Sequence, residues 1–118
     1  MNIEFLREND IDVDSGIDIL GDIEMYDETL DDFVLGMEER IPNIEKYKEE
    51  SDMDNYAILV HALKGDSKYL GFTKLADLAY NHQIKSQEGN VDYVNEHYDE
   101  LMNEVNRVMS VINKYKNK

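Results

Sequence analysis

The side chains best suited to chemistry lie in one short stretch, where His61 is followed by Lys64, Gly65 and Lys68. If this stretch is a helix, positions three, four and seven after His61 lie beside or just beyond the ring on the same face. An imidazole is a nucleophile near neutral pH and needs no base to attack an acyl phosphate. Lys64 could balance the charge of a phosphoryl group, and Gly65 leaves room for an approaching domain. The pattern predicts an outward-facing histidine presented to a phosphorylated partner.

A small apolar surface is expected one turn earlier on the same side, at Ala57 and Ile58. We expect both residues to contact a partner, although in a bundle without a partner they could equally be partly buried at the helix edge. Three nearby cations, Lys64, Lys68 and Lys74, predict a basic area on an otherwise acidic chain. The alternative is that these lysines are an ordinary solvated face.

Residues 61–72 resemble the signature of histidine-containing phosphotransfer (HPt) domains. In that signature a histidine is followed by a hydrophobic residue, a lysine and a small residue, and later by a small residue and a glycine. The matching positions are His61, Leu63, Lys64, Gly65, Ser67 and Gly71. The resemblance covers nearly the whole chain, because residues 11–34 are similar to the family's first helices and residues 75–101 to its later ones.

The resemblance implies a four-helix bundle in which His61 takes a phosphoryl group from a receiver-domain aspartate and passes it to another receiver. The partners would be receiver domains of hybrid histidine kinases and of response regulators. It further implies a phosphocarrier without its own ATP site or cofactor, since Mg²⁺ and its carboxylates would belong to the partner receiver. Ser67 and Gly71 would serve helix packing and a turn. Asp66 departs from the family pattern, since a small residue is usual there, and we expect it at the flank of the site.

Two other functions stay open. One is an HPt-like docking module that binds receivers without carrying phosphate, and the other is a structural acidic bundle with unrelated partners. An autonomous kinase is disfavoured because none of the six glycines forms a GxGxxG or P-loop arrangement. Hydrolysis by a Ser/His/Asp set is disfavoured because Ser67 lies about 240° around the helix from His61.

Composition predicts one domain over residues 1–118, since a chain of 118 residues with 42% hydrophobic content can bury its own core. There is no cysteine, no apolar run near the roughly 20 residues that span a bilayer, and no signal peptide pattern. We therefore expect a cytoplasmic protein, and the initiating methionine and lysine-rich end suggest a complete small chain.

A net charge of −15 argues against nucleic acid as a partner. Residues 1–55 carry that imbalance, with 19 acidic and 4 basic side chains.

Apolar residues recur at helical spacing, which predicts an all-α fold: an antiparallel up-down four-helix bundle with a short additional N-terminal helix. The clearest seam is Val94, Tyr98, Leu101, Val105, Val108, Ile112 and Tyr115. A second stripe is Ile23, Tyr26, Leu30, Phe33, Met37, Ile41, Ile44 and Tyr47, which predicts one helix kinked at Pro42. The remaining predicted segments are helices near Asp54–Tyr69 and Thr73–Ser86, a bend at Gly71, and a short helix capped by Asp14–Ser15 that ends at Leu20. Residues 1–10 are expected to be loose, and the protein to be a monomer.

The other two histidines carry no motif. We expect His82 to be a packed or boundary residue and His97 to be solvated. The three histidines share no ligand spacing, so a metal site is disfavoured. The aspartates between Asp10 and Asp18 resemble a calcium loop only briefly, because Ser15 stands where glycine is required.

Overall fold

A computed structural model of the chain describes residues 2–117, which form six helices. In chain order these are α1 (Ile3–Glu8), α2 (Val13–Leu20), α3 (Ile23–Glu49), α4 (Met53–Leu70), α5 (Thr73–Gln87) and α6 (Val91–Lys116). The two- or three-residue links between the four longest helices force each helix to run antiparallel to the one before it. Each packs against the next, and α6 closes the bundle against α3. The predicted all-α four-helix bundle is confirmed.

The two predicted seams supply about half of the buried hydrophobic core, and most of the rest comes from α1, α2, α4 and α5. Every seam residue of α6 is buried except Tyr98, which is half-buried. In α3 the stripe is buried at Tyr26, Leu30, Phe33, Met37 and Ile44. Its first residue, Ile23, lies outside the core with 38% of its surface exposed. The helix continues through Pro42, which is exposed, so the Glu38 carbonyl that loses its amide partner there can be solvated.

The N-terminal region differs from the prediction of a loose segment followed by one short helix. Residues 3–8 form a helix of their own, in which Leu6 is completely buried. Arg107 of α6 also donates a hydrogen bond from Nη1 to the Asn9 carbonyl, at 2.8 Å. Burial of a leucine contributes on the order of 2 kcal/mol, which helps to order a segment this short. The expectation that residues 1–10 are loose is therefore wrong for the described residues 2–10.

The start of α2 is also shifted from its predicted position. Asp12, and not Asp14–Ser15, is the N-cap, because its carboxylate accepts the backbone N–H of Ser15 at 3.2 Å. Asp14 instead lies in the first turn of the helix and pairs with Arg7 at 2.6 Å. The residue that caps α2 therefore lies two positions earlier in the chain than predicted.

The α4–α5 hairpin positions the candidate site. Gly71 ends α4 in the left-handed conformation, with φ of +81°, and a Cβ there would lie 2.1 Å from the Asp12 carbonyl oxygen. Only glycine fits both constraints, as the predicted bend requires. The link is only two residues long, so α4 and α5 pack along their whole length. Residues at similar distances from the link therefore lie at similar levels along the hairpin.

Candidate functional site

His61 lies in the middle of α4 with its side chain exposed. The helix is fixed by the Asp52 cap and by Val60 and Leu63, which are fully buried beside it. Because those neighbours occupy the inward face, the imidazole is left at the surface beside α5. The predicted outward-facing histidine is therefore what the structure contains.

One ring nitrogen of His61 is held by a neighbouring helix. Nδ1 lies 3.1 Å from Oε1 of Gln83 in α5, and Gln83 itself is 8% exposed. A carbonyl oxygen can only accept, so Nδ1 carries the proton and donates it to Gln83. In the neutral ring Nε2 then keeps its lone pair, and this nitrogen faces away from Gln83. The arrangement presents a nucleophilic nitrogen at the surface.

The side chains that follow His61 keep the site open and basic. Lys64 is half-buried, and its Nζ lies over the ring of Tyr80, 5.3 Å from the ring centroid. A Cβ placed on Gly65 would meet no atom within 4 Å, so the glycine faces free space. Lys68 is exposed one turn further along α4.

The predicted apolar docking surface is only partly available. Ile58 has 64% of its surface exposed, whereas Ala57 is 7% exposed and belongs largely to the interior. Both line an open groove of about 410 Å³ beside His61, which Asp54, Gln83 and Gln87 complete. Ala57 therefore shapes the floor of this groove, and Ile58 is the side chain that can reach a partner.

The predicted basic area is smaller than the sequence indicates. Lys68 and Gly65 line a second groove of about 490 Å³ between α2, α4 and α5. Lys74 lies in the first turn of α5, about 13 Å along the helix before Gln83, beside Asp10 and Asp77. Lys64 and Lys68 are thus the cations near the site, and Lys74 belongs to a different surface.

Asp66, which departs from the family pattern, lies away from the reactive ring. Its carboxylate accepts from Arg40 of α3 at 2.9 Å, so it ties α4 to α3. Among residues 2–117, no group of three or more His, Asp and Glu side chains is placed to hold a metal ion. No helix in that range is long and apolar enough to cross a membrane.

His82 has a structural environment, in agreement with its predicted packing. The ring is 1% exposed, its Nε2 donates to the His97 carbonyl at 3.1 Å, and its Nδ1 accepts from the Tyr56 hydroxyl at 2.8 Å. Burial lowers the pKa of His82, and burial also raises the pKa of Tyr56, so the donor keeps its proton. His97 is half-buried and stacks on Tyr93 with ring centroids 4.2 Å apart. His97 was expected to be solvated and is only partly so.

Two residues of the site, Gln83 and Tyr80, were not predicted from the sequence. Each contacts a predicted residue across the hairpin: Gln83 holds His61, and Tyr80 holds Lys64. The signal is the distance from the turn. His61 and Gln83 are both eleven positions from Phe72, and Lys64 and Tyr80 are both eight. Antiparallel helices joined by a two-residue link place residues at similar distances from the link at similar levels, so the link narrows the partners of His61 and Lys64 to a few residues of α5.

Comparison with known proteins gives one family match. The family model of the Hpt domain matches residues 28–110, which include His61, Lys64 and Gln83. No curated protein and no solved structure matched the chain. Hpt domains are phosphotransfer modules of phosphorelays that interact with receiver domains. Because the match extends over most of the chain and the helical bundle agrees with it, the chain belongs to the Hpt domain family.

Proposed function

We propose that this protein is a phosphorelay intermediate in which His61 accepts a phosphoryl group from a receiver aspartate and transfers it to a second receiver. The observation that carries the proposal is the hydrogen bond from Nδ1 of His61 to Gln83. It fixes the ring tautomer and leaves Nε2 as the nucleophile at an exposed position. The protein would be a phosphocarrier without an ATP site, because the phosphoryl group arrives already activated on its partner.

In the transfer step Nε2 attacks the phosphorus atom of the partner's aspartyl phosphate. The Nε2–P bond forms while the P–O bond to the aspartate breaks, and the electron pair of that bond returns to the aspartate as a carboxylate. The ring gains positive charge, and Nδ1 keeps its proton. The hydrogen bond to Gln83 strengthens as that charge develops, because hydrogen bonds from charged donors are the stronger ones. The same steps in reverse load the next receiver.

The neighbouring residues are proposed to serve access and charge. Lys64 would offset the charge of the phosphoryl group, and Lys68 would attract the acidic pocket of a receiver. Gly65 would admit the partner's surface, since a side chain there would project into the approach. Ile58 and the edge of Ala57 would form the apolar contact. Mg²⁺ would be held by the receiver, and we propose that the protein acts as a cytoplasmic monomer.

The test is transfer from a phosphorylated receiver domain of a hybrid kinase to the purified protein. Three proteins are compared: the wild type, His61→Gln and, as a matched control, His97→Gln, which removes another partly exposed histidine. Acid-labile phosphate is mapped by mass spectrometry, and circular dichroism checks that all three are folded.

We expect phosphate on the wild type and on His97→Gln, and none on His61→Gln. Transfer that survives in His61→Gln would show that another residue is the carrier. Binding of several receivers by a folded wild type that takes no phosphate would refute the carrier and favour the docking module. Absence of any binding would favour an acidic bundle with unrelated partners.

A further inference from the structure

The ammonium group of Lys64 rests on an aromatic ring of the neighbouring helix. Its Nζ lies 5.3 Å from the centroid of Tyr80, within the range of a cation–π contact. Within residues 2–117 no carboxylate pairs with Lys64, although acidic side chains are plentiful in this protein. The cation–π contact with Tyr80 is therefore the interaction that restrains the Lys64 ammonium in the unphosphorylated protein.

Tyr80 does not belong to the hydrophobic core. Its side chain has 48% of its surface exposed and lies outside the buried cluster of the bundle. A large aromatic side chain at an exposed helix position contributes little to packing here. Among the described residues, the contact with Lys64 is the one polar interaction that the structure gives to this ring.

The direction of the His61 ring shows what this contact does to the cation. Nδ1 faces α5, where it donates to Gln83, so Nε2 faces away from α5. Tyr80 holds the Lys64 ammonium on the α5 side as well. The Lys64 ammonium therefore rests toward α5, the helix that holds Nδ1 of His61. A phosphoryl group would instead be attached to Nε2, on the other edge of the imidazole.

We propose that Tyr80 is a positioning residue that holds Lys64 in a resting position, from which a phosphoryl group on His61 withdraws it. This inference rests on the phosphocarrier function proposed above. A phosphoryl group is a stronger partner for an ammonium than a solvent-exposed aromatic ring. Lys64 must leave the Tyr80 ring in order to pair with the phosphoryl group. The lost contact makes the phosphohistidine less stable than a freely moving Lys64 would make it, which favours onward transfer.

The consequence can be measured with two variants of one residue. Tyr80→Leu removes the aromatic face, whereas Tyr80→Phe keeps it and is the conservative control. An exposed cation–π contact is weak, so its loss should raise the equilibrium ratio of phosphorylated protein to phosphorylated receiver by about two- to fivefold. Tyr80→Phe should leave the ratio within about twofold of the wild type. A lower or unchanged ratio in Tyr80→Leu would overturn the proposal.

A spectroscopic measurement follows Lys64 directly. Aromatic ring currents shift nearby protons upfield in NMR spectra, so the ε-methylene protons of Lys64 should resonate upfield in the wild type and in Tyr80→Phe, but not in Tyr80→Leu. Lys68, exposed on the same helix, is the internal control and should not move. Equal Lys64 shifts in all three proteins would overturn the proposal.

The wild type is then treated with phosphoramidate, a small phosphoryl donor. Nε2 forms the bond to phosphorus while the P–N bond of the reagent breaks and ammonia leaves. We expect the Lys64 protons to move to their position in Tyr80→Leu. If His61 becomes phosphorylated and the upfield shift persists, the resting position is refuted while the carrier function stands. If no phosphohistidine forms with either donor, the carrier function fails and the proposed withdrawal of Lys64 fails with it.

Discussion

Replacing Gln83 by leucine tests how the hydrogen bond at Nδ1 supports the reaction of His61. The neutral ring donates to Gln83 at 3.1 Å before transfer, and a positively charged ring donates as the Nε2–P bond forms. Hydrogen bonds between neutral groups contribute about 0.5–1.5 kcal/mol, and those to charged groups about 1.5–3 kcal/mol. Gln83 should therefore stabilise the charged ring by about 1–1.5 kcal/mol more than the neutral ring, and its loss should slow transfer by about five- to thirteenfold.

The same change should have little effect on the fold. Because His61 is exposed, water can accept from Nδ1 in place of Gln83 and the fold loses little, but this water is not held in position as the amide oxygen is, so the reacting ring loses a preorganised acceptor. Leucine also suits a position that is 8% exposed, so the free energy of unfolding should change by less than about 1 kcal/mol. A rate loss without a stability loss separates support of the reaction from support of the structure.

The assay is rapid-quench phosphotransfer from a radiolabelled receiver to each variant. Gln87→Leu is the matched control, since Gln87 lies one turn further along α5 and lines the same groove. Gln83→Glu keeps an acceptor at the same place and should transfer at least as fast as the wild type. The reasoning would be refuted if Gln83→Leu transferred phosphate within twofold of the wild type, or if Gln87→Leu were slowed equally.

Three further changes test other parts of the structure. Gly16→Ala should lower the free energy of unfolding by about 1–3 kcal/mol, because its Cβ would lie 2.3 Å from the ring of Tyr26. Gly36→Ala, where a Cβ meets no atom within 4 Å, should instead raise it by up to about 1 kcal/mol; chemical denaturation compares the two. Burial lowers the pKa of His82, so this side chain binds a proton more readily in the unfolded chain than in the folded protein. The free energy of unfolding should therefore fall as the pH drops below 6.5. The slope from this group should reach at most about 1.4 kcal/mol per pH unit and should disappear in His82→Phe, as followed by denaturation at each pH. Gly65→Leu should fold normally and yet transfer phosphate more slowly than Gly65→Ala in the rapid-quench assay, because only the longer side chain projects far into the open approach. Equal rates for those two variants would contradict the steric role.

The bundle could be predicted because its signals are periodic. The α6 seam repeats every three or four residues over its whole length, and its members form one side of the core. Gly71 was predictable for a local reason, since a left-handed turn between two helices selects glycine. Periodicity and turn chemistry are properties of neighbouring residues, so a single sequence reveals them.

The N-terminal region could not be predicted in the same way. The α1 helix is six residues long, too short to show a periodic pattern. Its order depends on the burial of Leu6 and on Arg107, which lies about a hundred positions later in the chain and bonds the Asn9 carbonyl. Contacts between such distant residues leave no local signal.

The residues of the site likewise divide into those with a local sequence signal and those whose role depends on another helix. His61, Lys64 and Gly65 lie within one helical turn, so their spacing predicted a reactive face. Gln83 and Tyr80 belong to the opposite helix, and their roles depend on the register of the hairpin. The two-residue link limits that register, but the length of the link is known only once the end of α4 and the start of α5 are known.

The central claim is that phosphate is carried on Nε2 of His61, and NMR of the phosphorylated protein tests it most directly. The wild type, labelled with ¹⁵N at histidine, is phosphorylated by a receiver, and the phosphorus coupling identifies the ring nitrogen. The account predicts a single phosphohistidine at His61, with phosphorus on Nε2 and a proton on Nδ1. Phosphorus on Nδ1, or on His97 in place of His61, would contradict it.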